Sequence, residues 1–579
     1  MKARRGSSGR QAGDQIRTQV IAKLLDSAAE EMDVALVKTS FSPGIKERAD
    51  CSTAVFTPAG EMIAQEAHAP IHLGALSSLV REIQARHGAD AFQDGDIFMT
   101  NDPYTGGGSH LNDLVLIAPV FAGKRLVAVV GNIAHHSDVG GAVAGSEYAN
   151  SVSIYQDGLR VPPVHLARKG KVDPDMVDFF LHNSRLPEER RGDVRAQVGA
   201  INIGARRVLE IVERYGVPAL FAAMTELLEY GERRIRAALR DVPDFSVSGE
   251  ERLDPDKRTG NVVRIAVKVV KRGATIAFDF AGTSPQLEEG RNVPESALLA
   301  SVYYSVKALL DPTLPTNAGY YRAISVSAPA GCLTNARPPA AVGTRVGTAQ
   351  FIVNAIFHAM APLFPARAIT GCDGRRKIIF TGHDERADRF FVYYESLSGG
   401  SGARHNKDGL SGTMVHMMNV TNLPVECLEM EFPLLVERVR LRCDSGGAGR
   451  YRGGLGVRRD YRILTDRVRM TMIAERTTVP NWGLAGGAGG GLGAFVLDPG
   501  TGAERPVESR VGDVELTRGQ VASIQTAGAG GFGDPRERPA ELVLADVLEG
   551  KVSLDAARDE YGVDIELATR TACRTGRTP

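Results

Sequence analysis

Apolar positions recur every three or four residues along DQIRTQVIAKLLDSAAEEMDVA (14–35), the period of an amphipathic helix. The period then shortens. STAVFTPAGEMIAQ alternates around PAG and predicts a hairpin-like pair of strands, and GALSSLVREIQARHG returns to helical spacing with a terminal glycine. DIFMTND, DLVLIAPVF and RLVAVVGNIAH are three short apolar runs with polar ends, read as successive strands. Residues 173–241 are helical in pattern, clearest in ARRVLEIVERYGVPALFAAMTELLEYGERRIRAAL. From about 245 strand alternation resumes in VVRIAVKVVKRGATIAFDFAG, and a helical segment follows near 295–310. Beyond about 435, strands alternate with glycine turns, and the last 40 residues suggest short helices and a surface tail.

This order predicts a large α+β protein of several domains, since 579 residues exceed one compact core. We expect an N-terminal α+β domain over 1–244 and a central α+β domain over 245–435. A β-rich glycine-turn domain over 436–540 and a helical tail over 541–579 complete the chain. Composition changes this picture little. Hydrophobic residues make up 43% and charged residues 24%, with zero formal charge, so no basic footprint for nucleic acid or an anionic membrane is present. The 64 glycines predict many turns and close backbone approaches. The six cysteines form no CxxC, which argues against a disulfide framework or a structural zinc site. The basic N-terminus lacks an apolar segment after it, and no run is long enough to span a bilayer, so a cytoplasmic protein is expected.

Candidate chemistry sits at the polar strand ends. In TNDPYTGGGSHLND, a glycine-rich loop presents His110 and Asp113 three residues apart. In such a loop, imidazole and carboxylate can converge on one ion; the alternative is a turn with polar capping residues. GNIAHHSDVGG places His135 and His136 at the end of the next run, where adjacent residues face opposite sides and only one can enter a common site. Asp102 and Asp138, in the same two loops, could support the ligands from behind. Asp50 precedes another apolar strand and by itself reads as a turn carboxylate. His68 and His72 have helical zinc spacing, but Pro70 between them argues against a helix, so they read as structural or substrate-facing.

The absences also inform. There is no GxxxxGK[ST] phosphate loop, no GxGxxG opening a βαβ unit and no GxSxG nucleophile elbow. GGAGRYRGGLGVRRD could pass for RNA-binding sequence, but strand alternation around it favours β-turns.

Taken together, SFSPGIKERADCSTAVF, AQEAHAPIHLG, GDIFMTNDPYTGGGSHLNDLVLIAPVF, GNIAHHSDVGG, NLPVECLEMEFPL, ERTTVPNWGLAGG and TAGAGGFGDPRERP resemble a known family. It is that of the B-subunits of ATP-dependent hydantoinases and 5-oxoprolinases, related to the caprolactamase β-subunit and to the α-type subunits of acetone and acetophenone carboxylases. The resemblance runs in order from about residue 12 to the C-terminus. It implies a divalent metal (zinc, manganese or iron) held by Asp50, His110, Asp113 and His135, with His136, Asp138 and Asp102 behind them. It also implies ring opening of a lactam, hydantoin or imide after activation by an actin-like ATPase A-subunit that uses ATP and Mg2+, in a dimer of heterodimers. A ketone carboxylase subunit and a non-catalytic scaffold of the ATPase are the rival readings. One departure is visible: the family's Glu-Gly before the RxPP turn is Asp157–Gly158 here, with a shorter reach.

Overall fold

A computed structural model describes residues 5–74, 79–88, 91–374 and 376–574. Helix α1 (Arg5–Thr39) opens the chain and packs on a seven-stranded antiparallel sheet. Its strands are β1 (Cys51–Phe56), β2 (Met62–Ala67), β3 (Ile97–Thr100), β4 (Asp113–Ala122), β5 (Arg125–His135), β6 (Val164–Arg168) and β7 (Lys171–Val172), in the order β2-β1-β5-β4-β3-β6-β7. The helical region resolves mainly into α2 (Pro187–Tyr215) and α3 (Val217–Arg240).

The unbroken apolar character of DLVLIAPVF has a packing cause. Leu114, Leu116, Ala118 and Val120 face a core shared with α1 and α2. Val115 and Ile117 face a second core that runs into residues 235–420. A sheet covered on both faces needs apolar residues at every position rather than every second one. Leu114 and Leu116 are fully buried, so truncating either to alanine should cost about 2–5 kcal/mol. Pro119 is tolerated inside β4 because β3 pairs only with Val115, Leu116 and Ile117, leaving that edge free beyond them.

The second sheet contains β8 (Phe245–Leu253), β9 (Val263–Arg272), β10 (Thr275–Asp279) and, after helix α4 (Glu295–Leu310), β11 (Ile324–Ser327). Helix α5 (Arg345–Met360) packs on β8 and β9. Two further sheets enclose a third core. One has the order β13-β12-β16-β19, from β12 (Arg376–Asp384), β13 (Arg389–Leu397), β16 (Arg467–Ile473) and β19 (Arg510–Thr517). The other has the order β14-β15-β20-β17-β18, from β14 (Leu434–Leu441), β15 (Val457–Ile463), β17 (Ala494–Leu497), β18 (Arg505–Pro506) and β20 (Val521–Gln525).

The expected α+β class with a glycine-rich β part is therefore what the chain adopts. Its C-terminal glycines have a steric reason: a Cβ on Gly453 would lie 2.0 Å from the Ala529 carbonyl oxygen, so backbone packs directly on backbone there. The end of the chain differs from the expected surface tail. Helices Ala540–Leu548 and Leu554–Asp559 are followed by a hairpin, β21 (Val563–Glu566) and β22 (Thr571–Arg574). Val543, Tyr561 and Val563 form a small core with Ala448. Arg538 ties this unit down through Asp408 and Asp546.

Candidate metal centre

The hairpin pairing of β4 with β5 sets Asp113 directly opposite His135. The loop before β4 therefore meets the end of β5 at one point. Gly108 makes the approach possible: its φ is +61°, and a Cβ there would lie 2.8 Å from the Cβ of Asp113. His110 then stands 5.1 Å from His135, ring centre to ring centre. Glu147, from the loop after β5, closes the group. Its Oε1 lies 3.6 Å from His110 Nδ1 and 3.7 Å from His135 Nε2, and all three side chains are buried.

The other side of His110 is held by Asp113. His110 Nε2 lies 3.1 Å from Asp113 Oδ1, while Asp113 Oδ2 accepts bonds from Ser109 N (3.2 Å), Ser109 Oγ (2.8 Å) and Arg345 Nη2 (2.9 Å). Burial, then the charge of Arg345, pushes His110 down to about 3, so its ring is neutral at neutral pH. Burial pulls Asp113 upward, but His110 and Arg345 outweigh it and hold the carboxyl well below its usual range. A neutral imidazole donating Nε2–H to Asp113 keeps its lone pair on Nδ1. That atom is buried with no hydrogen-bond partner and faces a carboxylate oxygen. A lone pair and a carboxylate facing each other are satisfied by a cation between them, so the donor set fits a divalent ion.

The opposite wall comes from β12 and β13. Ile378, Phe380, Phe391 and Tyr393 point into the third core, so Lys377 and Tyr394, on the other face, point at the histidines. The Tyr394 hydroxyl donates to Glu147 Oε1 and lies 3.1 Å from His135 Nε2. The Lys377 amine contacts Glu147 Oε2 and sits 4.3 Å from the centre of the Tyr394 ring. Burial drives Lys377 well below its usual value.

The residues singled out from sequence fall in three places. His110, His135 and Asp113 converge as described. Asp50 is buried beside them; its carbonyl accepts the His135 N–H at 3.0 Å, and its charge acts on Lys377. Its carboxylate is outside the group of mutually close ligand atoms formed by His110, His135 and Glu147. His136 faces away from that group, with Nε2 3.0 Å from Gln197 Oε1; burial, then Arg190, lowers it to about 4.

Asp138 and Asp102 bind their own loops. Asp138 accepts from Gly145 N and from Arg185, while Asp102 accepts from Tyr104 N, Thr105 Oγ1 and Arg160. His68 and His72 occupy a neighbouring network: His68 Nε2 lies 2.8 Å from Asp33 Oδ2, and His72 Nδ1 lies 2.8 Å from Ser52 Oγ. Asp157 shows what its shorter reach serves. Its Oδ2 accepts the Val342 and Gly343 N–H groups at 3.1 Å each, fixing the loop that delivers Arg345. Sequence reasoning missed Glu147, Arg345, Lys377 and Tyr394.

A model of the hydantoinase B/oxoprolinase family matches residues 14–535. The chain belongs to that family. The caprolactamase subunit beta of Pseudomonas jessenii is 33% identical over 569 residues, covering 96% of each chain. The 5-oxoprolinase 1 of Arabidopsis thaliana is 33% identical over 533 residues, 87% of this chain and 40% of that one. The crystal structure of the ATP-dependent caprolactamase from Pseudomonas jessenii matches with a TM-score of 0.89 and 32% identity, covering 96% of this chain and 97% of its own. An acetone carboxylase structure matches with a TM-score of 0.87 over 97% of this chain and 81% of its own, at 18% identity, a likeness of fold alone. As in the expectation for this hydantoinase B/oxoprolinase member, no described helix is long and apolar enough to cross a membrane.

The neutral state of His110 has a measurable consequence in metal-free protein. Its folded value of about 3 lies below the unfolded value of about 6.5. The stability it contributes is present above pH 6.5 and is lost as the pH falls, because the unfolded chain binds the proton the folded ring refuses. Urea unfolding of metal-free wild type and His110→Ala should therefore converge on acidification. The gap should shrink by about 1.4 kcal/mol per pH unit between pH 6 and 4. A gap independent of pH would show that the ring is not held neutral.

Proposed function

We propose that this chain is one subunit of an ATP-dependent cyclic amidase of the hydantoinase, 5-oxoprolinase or caprolactamase type. The observation behind the reading is the buried pair of histidines facing Glu147, in a chain similar end to end to a caprolactamase β-subunit. We assign a divalent ion to His110, His135 and Glu147, whose ligand atoms the fold brings together, with Asp113 and Asp50, which the resemblance implies as ligands, beside it. Imidazoles with carboxylates suit zinc, manganese or iron. When bound, such an ion supplies Lewis acidity and an acidified water.

The chain's own groups do the rest. Asp113, anchored by Ser109 and Arg345, fixes the tautomer and orientation of His110. Glu147 and Lys377, in contact and both buried, can hold a proton between them and deliver it to a departing ring nitrogen. Tyr394 keeps Glu147 in place.

A lactam is a poor electrophile because amide resonance resists attack, so the reading includes a partner. An actin-like ATPase A-subunit would use ATP and Mg2+ to activate the amide, and the labile product would pass to this chain away from bulk water. Purified alone, the chain should show neither ATPase nor lactam-opening activity. With an A-type partner subunit and ATP, it should open a cyclic amide, and the pair should elute as a dimer of heterodimers by size exclusion with light scattering. Ring opening by the isolated chain without ATP would refute this division of labour.

A further inference from the structure

The seven-stranded sheet carries a second set of metal-ligand side chains on its α1 face. Cys51 opens β1, and the register that pairs Ser52 with Ala67 sets it opposite His68, just beyond β2. The strand period of two then puts Thr53 beside Cys51 and Glu66 beside His68 on one face. Thr53 Oγ1 donates to the Ala29 carbonyl of α1, so that face looks at the helix. Asp33, about one turn further along α1, reaches both sides of the hairpin. Its Oδ1 accepts from Cys51 Sγ at 3.6 Å, and its Oδ2 lies 2.8 Å from His68 Nε2. One ligand atom from each of the three lies within 4.8 Å of the other two.

A histidine and an aspartate alone would be an ordinary ion pair. Here a thiol points at the same carboxylate, and a second carboxylate, Glu66, shares the face. Asp33 and Cys51 are buried. Burial, then the charge of Asp33, pushes Glu66 upward, and Glu30 adds to the negative field. Among the described residues no lysine or arginine pairs with Asp33 or Glu66, and His68 alone answers Asp33. A buried set richer in anions than in cations is unfavourable until a cation joins it.

Thiolate, imidazole and carboxylate together are a donor set that suits zinc. A tetrahedral ion with bonds of about 2.0–2.3 Å holds its ligand atoms about 3.3–3.6 Å apart. Cys51 Sγ and Asp33 Oδ1 already stand at that spacing, and His68 need move from Asp33 by only about half an ångström. The His68 side chain is 29% exposed and gives an ion its way in from solvent.

We infer that Asp33, Cys51 and His68 form a zinc site separate from the histidine centre, with Glu66 on the same face as the candidate for the fourth position. Binding releases the Cys51 thiol proton to solvent and leaves a thiolate on the ion. The ion is structural: it clamps α1 to the β1–β2 hairpin. Ligands at 33, 51 and 68 match no zinc-motif spacing, which hides the site in the sequence.

Cobalt(II) titration of the metal-stripped full-length chain tests the inference. Cobalt takes zinc's ligands, and a thiolate bound to it gives a strong near-ultraviolet charge-transfer band. His110, His135 and Glu147 bring no sulfur, so their centre is silent in that band. Wild type should bind two cobalt ions per chain, one of them with the band, and added zinc should bleach it. Cys51→Ser should lose the band and one equivalent of cobalt. His110→Ala should keep the band and lose the other equivalent. Asp33→Asn and His68→Ala should each raise the cobalt needed for half the band by about tenfold or more. Cys443→Ser, at an exposed thiol, is the control and should leave the band unchanged. In the His110→Ala background zinc should raise the melting midpoint, and adding Cys51→Ser should remove that rise. If Cys51→Ser does not fold, His68→Ala decides the matter. Cobalt-loaded wild type without the band, or a band that survives Cys51→Ser, would overturn the inference. No turnover is read, so the result stands apart from any ring-opening assay.

Discussion

His110→Ala and His135→Ala should each yield folded protein that has lost the ion of the histidine centre and, in the reconstituted complex, nearly all ring-opening activity. Losing an ion that stabilises transition-state charge removes several kcal/mol, or about 10³-fold in kcat. His136→Ala is the control, since that ring faces Gln197, and it should retain metal. The carboxylates rank themselves in the same metal analysis. A ligand's loss should empty the site, whereas loss of a carboxylate that only orients His110 should weaken the metal about 10–100-fold. Asp50→Asn, Asp113→Asn and Glu147→Gln, measured together, sort the three. A metal-free wild type with full activity would end the metal assignment.

The largest stability effect should come from the Asp113–Arg345 pair. Both side chains are almost completely buried, 2.9 Å apart. Arg345→Met leaves Asp113 charged and buried without its counter-charge and should cost about 3–5 kcal/mol in urea unfolding. The double variant Asp113→Asn/Arg345→Met should recover much of that loss, because neither charge is then stranded. Asp113 ionises below its usual range, so its contribution is present above the unfolded value of about 3.9 and lost only below it. The penalty of Arg345→Met should be greatest above pH 6.5 and shrink below it, because without Arg345 the folded variant takes up a proton on His110 more readily. Equal stability of wild type and Arg345→Met would mean that the pair does not hold the loop.

What the sequence revealed and what it hid follow from the range of each signal. The ends of β4 and β5 were legible because apolar runs break into glycine and polar residues there, and hairpin register then fixes His135 opposite Asp113. The opposite orientation of His135 and His136 follows from strand geometry alone. Glu147 was hidden because a single glutamate in a polar loop has no spacing to mark it. Lys377 and Tyr394 were hidden because they reach the site through packing between sheets; Tyr394 lies 259 residues from His135 along the chain. Arg345 stands in no motif or spacing that marks it, and only the fold shows that it answers Asp113. Asp138 and Asp102 sat in the right loops, but their oxygens are consumed by backbone N–H groups and by Arg185 and Arg160, a matter of loop geometry rather than residue type. The C-terminal hairpin was missed because its strands are four residues each, too short for periodicity to show.

The most direct test of the account is ring opening by the reconstituted pair, with wild type and His135→Ala assayed in parallel, with and without ATP. The account predicts ATP-dependent opening of a cyclic amide by wild type. It predicts none by His135→Ala, which should still fold and still bind its partner. Full turnover by metal-free His135→Ala, or ring opening by wild type without ATP, would contradict it.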